Sequence, residues 1–238
     1  MYLRRITFTL MVLPLFGTHS ARAADTDALF DVQAWGVKIG EFRIAGQERS
    51  SSYSVTSKFE TTGLVKQLGR IWFTMSAKGQ KSGDSFVPAR YAERVQTGRR
   101  KSEAQIDYSS GFPLLTGGKL GTEDAEVLDA TAQTDTVDPL TAMFIALRDQ
   151  PRAGLCTLNQ PIFDGARRTI AFMTGRRDDG DNVICTGQFR RLGGYSAKQL
   201  RQGRNSSYEL TYVPSGPLMR VQEARVTSSR GTAILTRR

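Results

Sequence analysis

Few residues in this chain have the type and spacing to carry chemistry. Cys156 and Cys185 are its only cysteines. In an oxidising compartment the simplest outcome is one disulfide between them. For a loop of this length, chain-entropy arithmetic gives about 3.5 kcal/mol of stabilisation. Two buried free thiols and a redox pair are the alternatives, although no C-x-x-C spacing is present. Asp178, Asp179 and Asp181 gather around Gly180. Calcium asks for more oxygen ligands at set spacing and a bidentate Glu, so the stretch reads as a hairpin turn. Gly117-Gly118-Lys119 has Leu120 where a phosphate loop needs Ser or Thr. No G-x-S-x-G, S-x-x-K or G-x-G-x-x-G occurs, and no spacing singles out a carboxylate pair for hydrolysis. No catalytic residue, metal-ligand set or cofactor is predicted.

The one histidine, His19, lies in a segment that reads as a targeting signal. Arg4 and Arg5 make a positive start, Ile6 to Phe16 is mostly apolar, and Ala21-Arg22-Ala23 is a small-x-small cleavage signature. Thr7, Thr9 and Pro14 argue against an uncleaved anchor. Nothing follows Arg4-Arg5 that marks a twin-arginine signal, and no cysteine near the cleavage site offers a lipid anchor. Residues 1–23 are therefore expected to be a signal peptide. Residues 24–238 are expected to be a single periplasmic β-rich domain. Cleavage removes three arginines and no acid, so net charge falls from +10 to +7. Without histidine the mature chain cannot build His-containing triads, His-ligated zinc or a His pH switch.

The elements that position these residues are mostly strands. Phe30 to Gly36, Val37 to Glu48, the alternating stretch at Tyr53 to Glu60, and Ile71 to Ala77 open the domain. Phe86 to Gln96 and Lys101 to Tyr108 follow. Residues 116–137 are acidic and apolar-poor and read as a loop. Asp138-Pro139 then starts a helix, with Asp138 as N-cap and Pro139 as first helical residue; Leu140, Met143, Phe144 and Leu147 form its apolar face. Strands return at Thr157 to Phe163, Arg168 to Thr174, Val183 to Phe189, Ser207 to Val213, Met219 to Ser228 and Thr232 to Leu235. Gly193 to Gln202 is a loop or a short helix. Strand spacing predicts an antiparallel meander.

One tension arises. If Asp164-Gly165 and Asp178 to Asn182 are both hairpin turns, a flat meander puts the cysteines on two outer strands, about 10 Å apart. A disulfide then needs strong sheet curl, or Cys156 lying before its strand begins.

Several short motifs together resemble the bacterial exported proteins grouped as domain of unknown function 3108. They are Gly36-Val37-Lys38-Ile39-Gly40, Asp138-Pro139-Leu140-Thr141-Ala142, Ile162-Phe163-Asp164-Gly165-Ala166-Arg167-Arg168, and Cys185 leading to Gly193-Gly194-Tyr195. The resemblance spans nearly all of the chain after residue 23. Ala166 departs from it, standing where a longer basic or polar residue is expected, as does Thr169-Ile170, where an aromatic is common. The resemblance implies a periplasmic, curved-sheet or open-barrel domain of a Gram-negative bacterium. It brings no established enzyme activity and hence no catalytic residue.

The fold expected is mainly β: a long curled antiparallel sheet, an open or broken β-barrel, around one amphipathic α-helix. The mature chain holds 22 Arg against 8 Lys. Guanidinium forks suit anionic head groups or an acidic partner, and a plain solvated basic surface is the alternative. Export argues against nucleic acid as a partner. The leading functional reading is a non-enzymatic envelope protein that binds a hydrophobic or amphipathic ligand such as lipid or lipoprotein, with peripheral membrane contact. Trp35, Phe59, Trp72 and Phe73 are candidates to line its groove, or else to pack the core. A scaffolding module that binds an envelope protein is the second reading, and a carboxylate-based hydrolase the third.

Overall fold

A computed structural model describes residues 24–98, 101–120 and 126–238. The expected signal segment, Arg99-Arg100, and Glu123 and Asp124 of the acidic stretch lie outside the described residues. The strands are β1 (Ala24–Ala34), β2 (Val37–Glu48), β3 (Ser52–Thr61), β4 (Trp72–Ser82), β5 (Ser85–Gln96), β6 (Lys101–Asp107), β7 (Leu114–Lys119), β8 (Asn159–Phe163), β9 (Arg168–Asp179), β10 (Asn182–Gly193), β11 (Asn205–Ser215), β12 (Leu218–Ser228) and β13 (Gly231–Arg237). The helices are α1 (Gly63–Leu68), α2 (Pro139–Leu147) and α3 (Ala197–Arg201).

All strands join one antiparallel sheet of 13, ordered β7-β6-β5-β4-β3-β2-β1-β13-β12-β11-β10-β9-β8. First and last strands meet in the middle, where β1 pairs with both β2 and β13. The curled, broken barrel read from the sequence is the architecture observed. Period-2 burial sets one face inward: Ala28, Phe30 and Val32 of β1 alternate with exposed or half-buried neighbours, as do Tyr53, Val55, Ser57 and Phe59 of β3.

The sheet does not close by hydrogen bonds between β7 and β8, yet its ends come close. A Cβ on Gly165, in the β8–β9 turn, would stand 2.9 Å from Leu120, just past β7, and 3.2 Å from Ile106 of β6. On the far side of β8, Val137 pairs in parallel with Ile162, with Val137 N donating to Pro161 O at 3.1 Å and Phe163 N to Val137 O at 2.9 Å. This short stretch covers an edge that would otherwise expose unpaired backbone groups.

From that seam the chain enters the barrel as α2. Leu140, Thr141, Ala142, Phe144 and Leu147 are buried. The helix is apolar around most of its circumference, more than a one-faced helix needs, because the sheet wraps it. Phe144 lies directly over Gly46 of β2, where any side chain would strike the ring. Gly40 does the same for Phe59: its Cβ would come 2.9 Å from that ring and 2.5 Å from Glu60 O.

Three sequence expectations change. Residues 116–119 are not loop but belong to β7, whose Gly117-Gly118 hides the alternation of a strand. The stretch before Asp138 is also ordered by contacts: Gln133 and Thr136 are buried, and Arg168 binds Asp135 at 2.6 Å. Finally, β8 begins at Asn159, later than expected. Cys156 therefore precedes it, in the left-handed region at φ 63°, and crosses the concave face to bond Cys185 of β10 with a Cα–Cα distance of 5.2 Å. That resolves the tension between the two turns and the bridge. Ala166, the departure from the family pattern, is fully buried in the β8–β9 turn, where a longer side chain has no room.

Candidate functional site

The two ends of the barrel differ. The turns at 49–51, 83–84, 180–181 and 216–217 mark one end, where the C-terminus of α2 emerges. Arg148, the residue after α2, is buried and donates from Nη1 to Glu48 Oε1 at 3.3 Å, while its guanidinium lies over the Phe86 ring at 5.2 Å. Lys81 Nζ meets Glu48 Oε2 at 3.0 Å. Next along the chain, Asp149 takes Arg237 Nη1 at 2.6 Å, its own N–H donates to Thr26 Oγ1 at 3.0 Å, and Gln150 pairs with Met219. These bonds pair buried charges that would otherwise be costly, although Arg148 Nε keeps no hydrogen-bond partner, and they close this end.

The N-terminus of α2 carries a second buried polar cluster. Asp138 is fully buried, and its carboxylate caps the helix by accepting Thr141 N–H at 2.8 Å and Thr141 Oγ1–H at 2.5 Å. Tyr53 OH lies 2.8 Å from Thr141 Oγ1, tying the helix to β3. Burial raises the Asp138 pKa from 3.8 to about 6, against the pull of the Thr141 hydroxyl and backbone donors. The folded state therefore takes up a proton that the unfolded chain releases between these two values. This group's contribution to stability is full below pH 3.8 and is lost as pH rises through about 6. Asp138→Asn keeps a capping oxygen without the charge. Its stability relative to the parent should rise by roughly 2–3 kcal/mol between pH 4 and pH 7, read by urea unfolding at each pH. A constant difference across that range would contradict the assignment.

The other end is bordered by the Trp35-Gly36 turn, the β3–β4 connection with α1, the β8–β9 turn, the β10–β11 connection with α3, and the β12–β13 turn. Here the concave face carries a row of rings across neighbouring strands. Phe30 and Phe42 are 6.2 Å apart, Phe42 and Phe73 6.1 Å, and Phe59 and Phe73 5.4 Å. Phe30, Phe42 and Phe59 are buried; Phe73, Met75, Ile71 and Ile39 are half-buried. Deeper in, Glu93 accepts Tyr91 OH at 2.8 Å and Ser102 Oγ at 2.5 Å, and Ser57 Oγ is buried with no hydrogen-bond partner.

Of the four aromatic candidates, Phe59 and Phe73 stack together at this mouth. Trp72 is half-buried and faces the other side of β4 by alternation. Trp35 is 77% exposed at φ 51° in the β1–β2 turn, so it lines neither groove nor core. Its position follows from the turn, where a side chain points away from both faces of the sheet. Sequence reasoning passed over Glu48 and Arg148. The signal was there for Glu48, which lies in phase with inward-facing Phe42, Ile44 and Gly46. A depression of about 610 Å³ lies on the convex face, floored by short side chains such as Ser54, Thr56 and Ser76. It is an open saddle of the twisted sheet with polar and short side chains, whereas the half-buried rings at the other end present an apolar surface.

The buried carboxylates do not share a site: Glu48 is held by Arg148 and Lys81, Glu93 by Tyr91 and Ser102, and Asp138 by Thr141. Among the described residues no group of three His, Cys, Asp or Glu side chains is placed to hold a metal ion. No described helix is long and apolar enough to cross a membrane.

Among solved structures, the chain is similar to a beta-barrel-like protein of domain of unknown function DUF1849 from Brucella abortus, at 9% identity, covering 90% of this chain and 96% of that one, with a TM-score of 0.47. A likeness this loose adds nothing to the functional reading. No curated protein matches the chain. The family described as Protein of unknown function (DUF3108) matches residues 29–184. That match takes in the strand start at Gly40, the Asp138-Pro139 helix start, the Asp164-Gly165 turn and Cys156, and the chain belongs to this family.

Proposed function

We propose that this is a non-enzymatic periplasmic envelope protein that takes an amphipathic, lipid-like ligand into the aromatic mouth of its broken barrel. The observation that carries this reading is the asymmetry of the two ends. One is closed by α2 and buried ion pairs, while at the other an apolar row runs from buried Phe42 and Phe59 out to half-buried Phe73, Met75, Ile71 and Ile39. Water at such a surface is displaced favourably by a hydrocarbon chain, at roughly 25 cal/mol per Å² covered. Buried Ser57 Oγ, beyond the rings and without a hydrogen-bond partner, offers a polar contact that a purely packing interior would not need. The export signal read in residues 1–23 supports the location.

A dansyl-labelled fatty acid titrated into the detergent-free protein tests the proposal. The emission should rise and saturate. Phe73→Arg and Ile71→Arg, both at half-buried positions, should weaken binding at least tenfold at a temperature where circular dichroism shows each variant still folded. Non-saturable emission, or equal binding by both variants, would count against the mouth as the site.

A further inference from the structure

We propose that the open end of the barrel docks on an anionic phospholipid surface through a rim of unpaired cations, an inference that rests on the ligand-binding reading above. Many of the chain's arginines are matched by carboxylates: Arg43 with Asp27 at 2.6 Å, Arg152 with Asp178 at 2.5 Å, Arg237 with Asp149 at 2.6 Å, and, in the β8–β9 turn, Arg167 with Asp164 at 2.7 Å. The β10–β11 connection is different. From Asn182 to Tyr208 the chain has Arg190, Arg191, Lys198, Arg201 and Arg204 and no acid at all.

Among the described residues none of these five cations has a carboxylate partner. Arg190 lies over the Phe172 ring at 5.1 Å, and Arg191 donates to Gln199 O at 2.6 Å. In the adjoining β12–β13 turn Arg230 reaches only the side-chain amide of Gln202, at 3.4 Å. Across the mouth, the β3–β4 connection adds exposed Lys66 and Arg70. All of these sit at the end where the aromatic row emerges.

Exposed apolar side chains stand among these charges: Trp35 at 77% and Leu192 at 48%. Cations flanking an exposed tryptophan and leucine match the head-group region of a bilayer, where charge meets phosphate and the ring settles at the acyl boundary. An acidic protein or a free polyanion would use the cations but leave Trp35 and Leu192 in water. Docked this way, the mouth opens onto the membrane, and an amphipathic ligand passes between the two without its chain crossing water.

Partitioning of the protein onto vesicles tests the inference. Phosphatidylglycerol–phosphatidylethanolamine vesicles should bind it at low salt, and neutral phosphatidylcholine vesicles should not. Each rim cation is worth about a fivefold factor in affinity, so K198E/R201E/R204E should weaken binding more than about 100-fold. Lys78→Glu, on the barrel wall, should leave binding close to the parent. In a Trp72→Phe background the emission of Trp35 should shift to the blue on binding. No preference for anionic vesicles, indifference to the triple reversal, or an unshifted Trp35 would overturn the proposal. The two readings fail separately. A protein that takes up the dansyl fatty acid in solution but ignores vesicles loses only the docking surface. One that binds anionic vesicles through the rim but no fatty acid loses the ligand site and with it the purpose assigned to docking.

Discussion

Replacing Phe144 by alanine should cost this protein about 3–5 kcal/mol, the largest effect expected of any single side chain here. Phe144 is fully buried at the centre of the helix that fills the barrel. Its ring stacks with Tyr53 at 6.5 Å and meets Phe86 edge-on at 6.1 Å, joining α2 to β3 and β5. A helix surrounded by sheet cannot shift to fill the space without breaking its ties at both ends, Asp138–Thr141–Tyr53 and Arg148–Glu48. The cavity therefore remains and the cavity cost is near its upper range. For a domain of this size the melting temperature should fall by roughly 10 °C. Gly46→Ala supplies the companion test. Alone it should destabilise, since its methyl group would strike the Phe144 ring. In the Phe144→Ala background the methyl has room, and the two losses should add to clearly less than their sum. Simple additivity would mean that α2 does not rest on β2 as described.

The second large effect concerns the disulfide. Cys156→Ala with Cys185→Ala should lower stability by about 3.5 kcal/mol in urea unfolding, and reduction of the parent should reproduce most of the loss. Alanine is the suitable replacement because Cys185 is fully buried and a serine hydroxyl there would lack a partner. The bridge pins the connector between α2 and β8 to β10 across the concave face. Amide exchange should therefore quicken first in residues 148–158, before the sheet itself loosens. A loss below about 1 kcal/mol would show that the connector is held by its other contacts, chiefly Gln150 with Met219 and Arg152 with Asp178.

The fold was legible in the sequence wherever one strand face is buried and the other is wet. Tyr53, Val55, Ser57 and Phe59 alternate with polar residues, and that alternation fixes both strand type and facing. Asp138-Pro139 announces a helix start because a capping oxygen and a missing N–H suit that position. Reading failed where physics leaves no local trace. β7 holds Leu114-Leu115 and then Gly117-Gly118, so it shows no period. The strand expected from Thr157 left Cys156 at its very edge, and the start of β8 at Asn159 leaves Cys156 in the connector, from which it reaches Cys185.

The candidate site was less legible than the fold. Phe59 and Phe73 were identifiable as aromatics of alternating strands, yet their meeting depends on the register of β3 against β4, in which they are direct partners. The basic rim was visible only as composition. Whether an arginine is paired is decided by register and turns, as with Arg43 and Asp27, which are 16 residues apart. The sequence therefore shows an arginine-rich chain, and the structure sorts its arginines into matched and unmatched sets.

If the aromatic mouth holds an amphipathic ligand, as proposed, native mass spectrometry tests it most directly. The protein should be released from cells without detergent and sprayed intact. We expect an added mass that fragments as a lipid and is depleted in Phe73→Arg. A bare polypeptide mass for the parent, or the same adduct retained in Phe73→Arg, would contradict it.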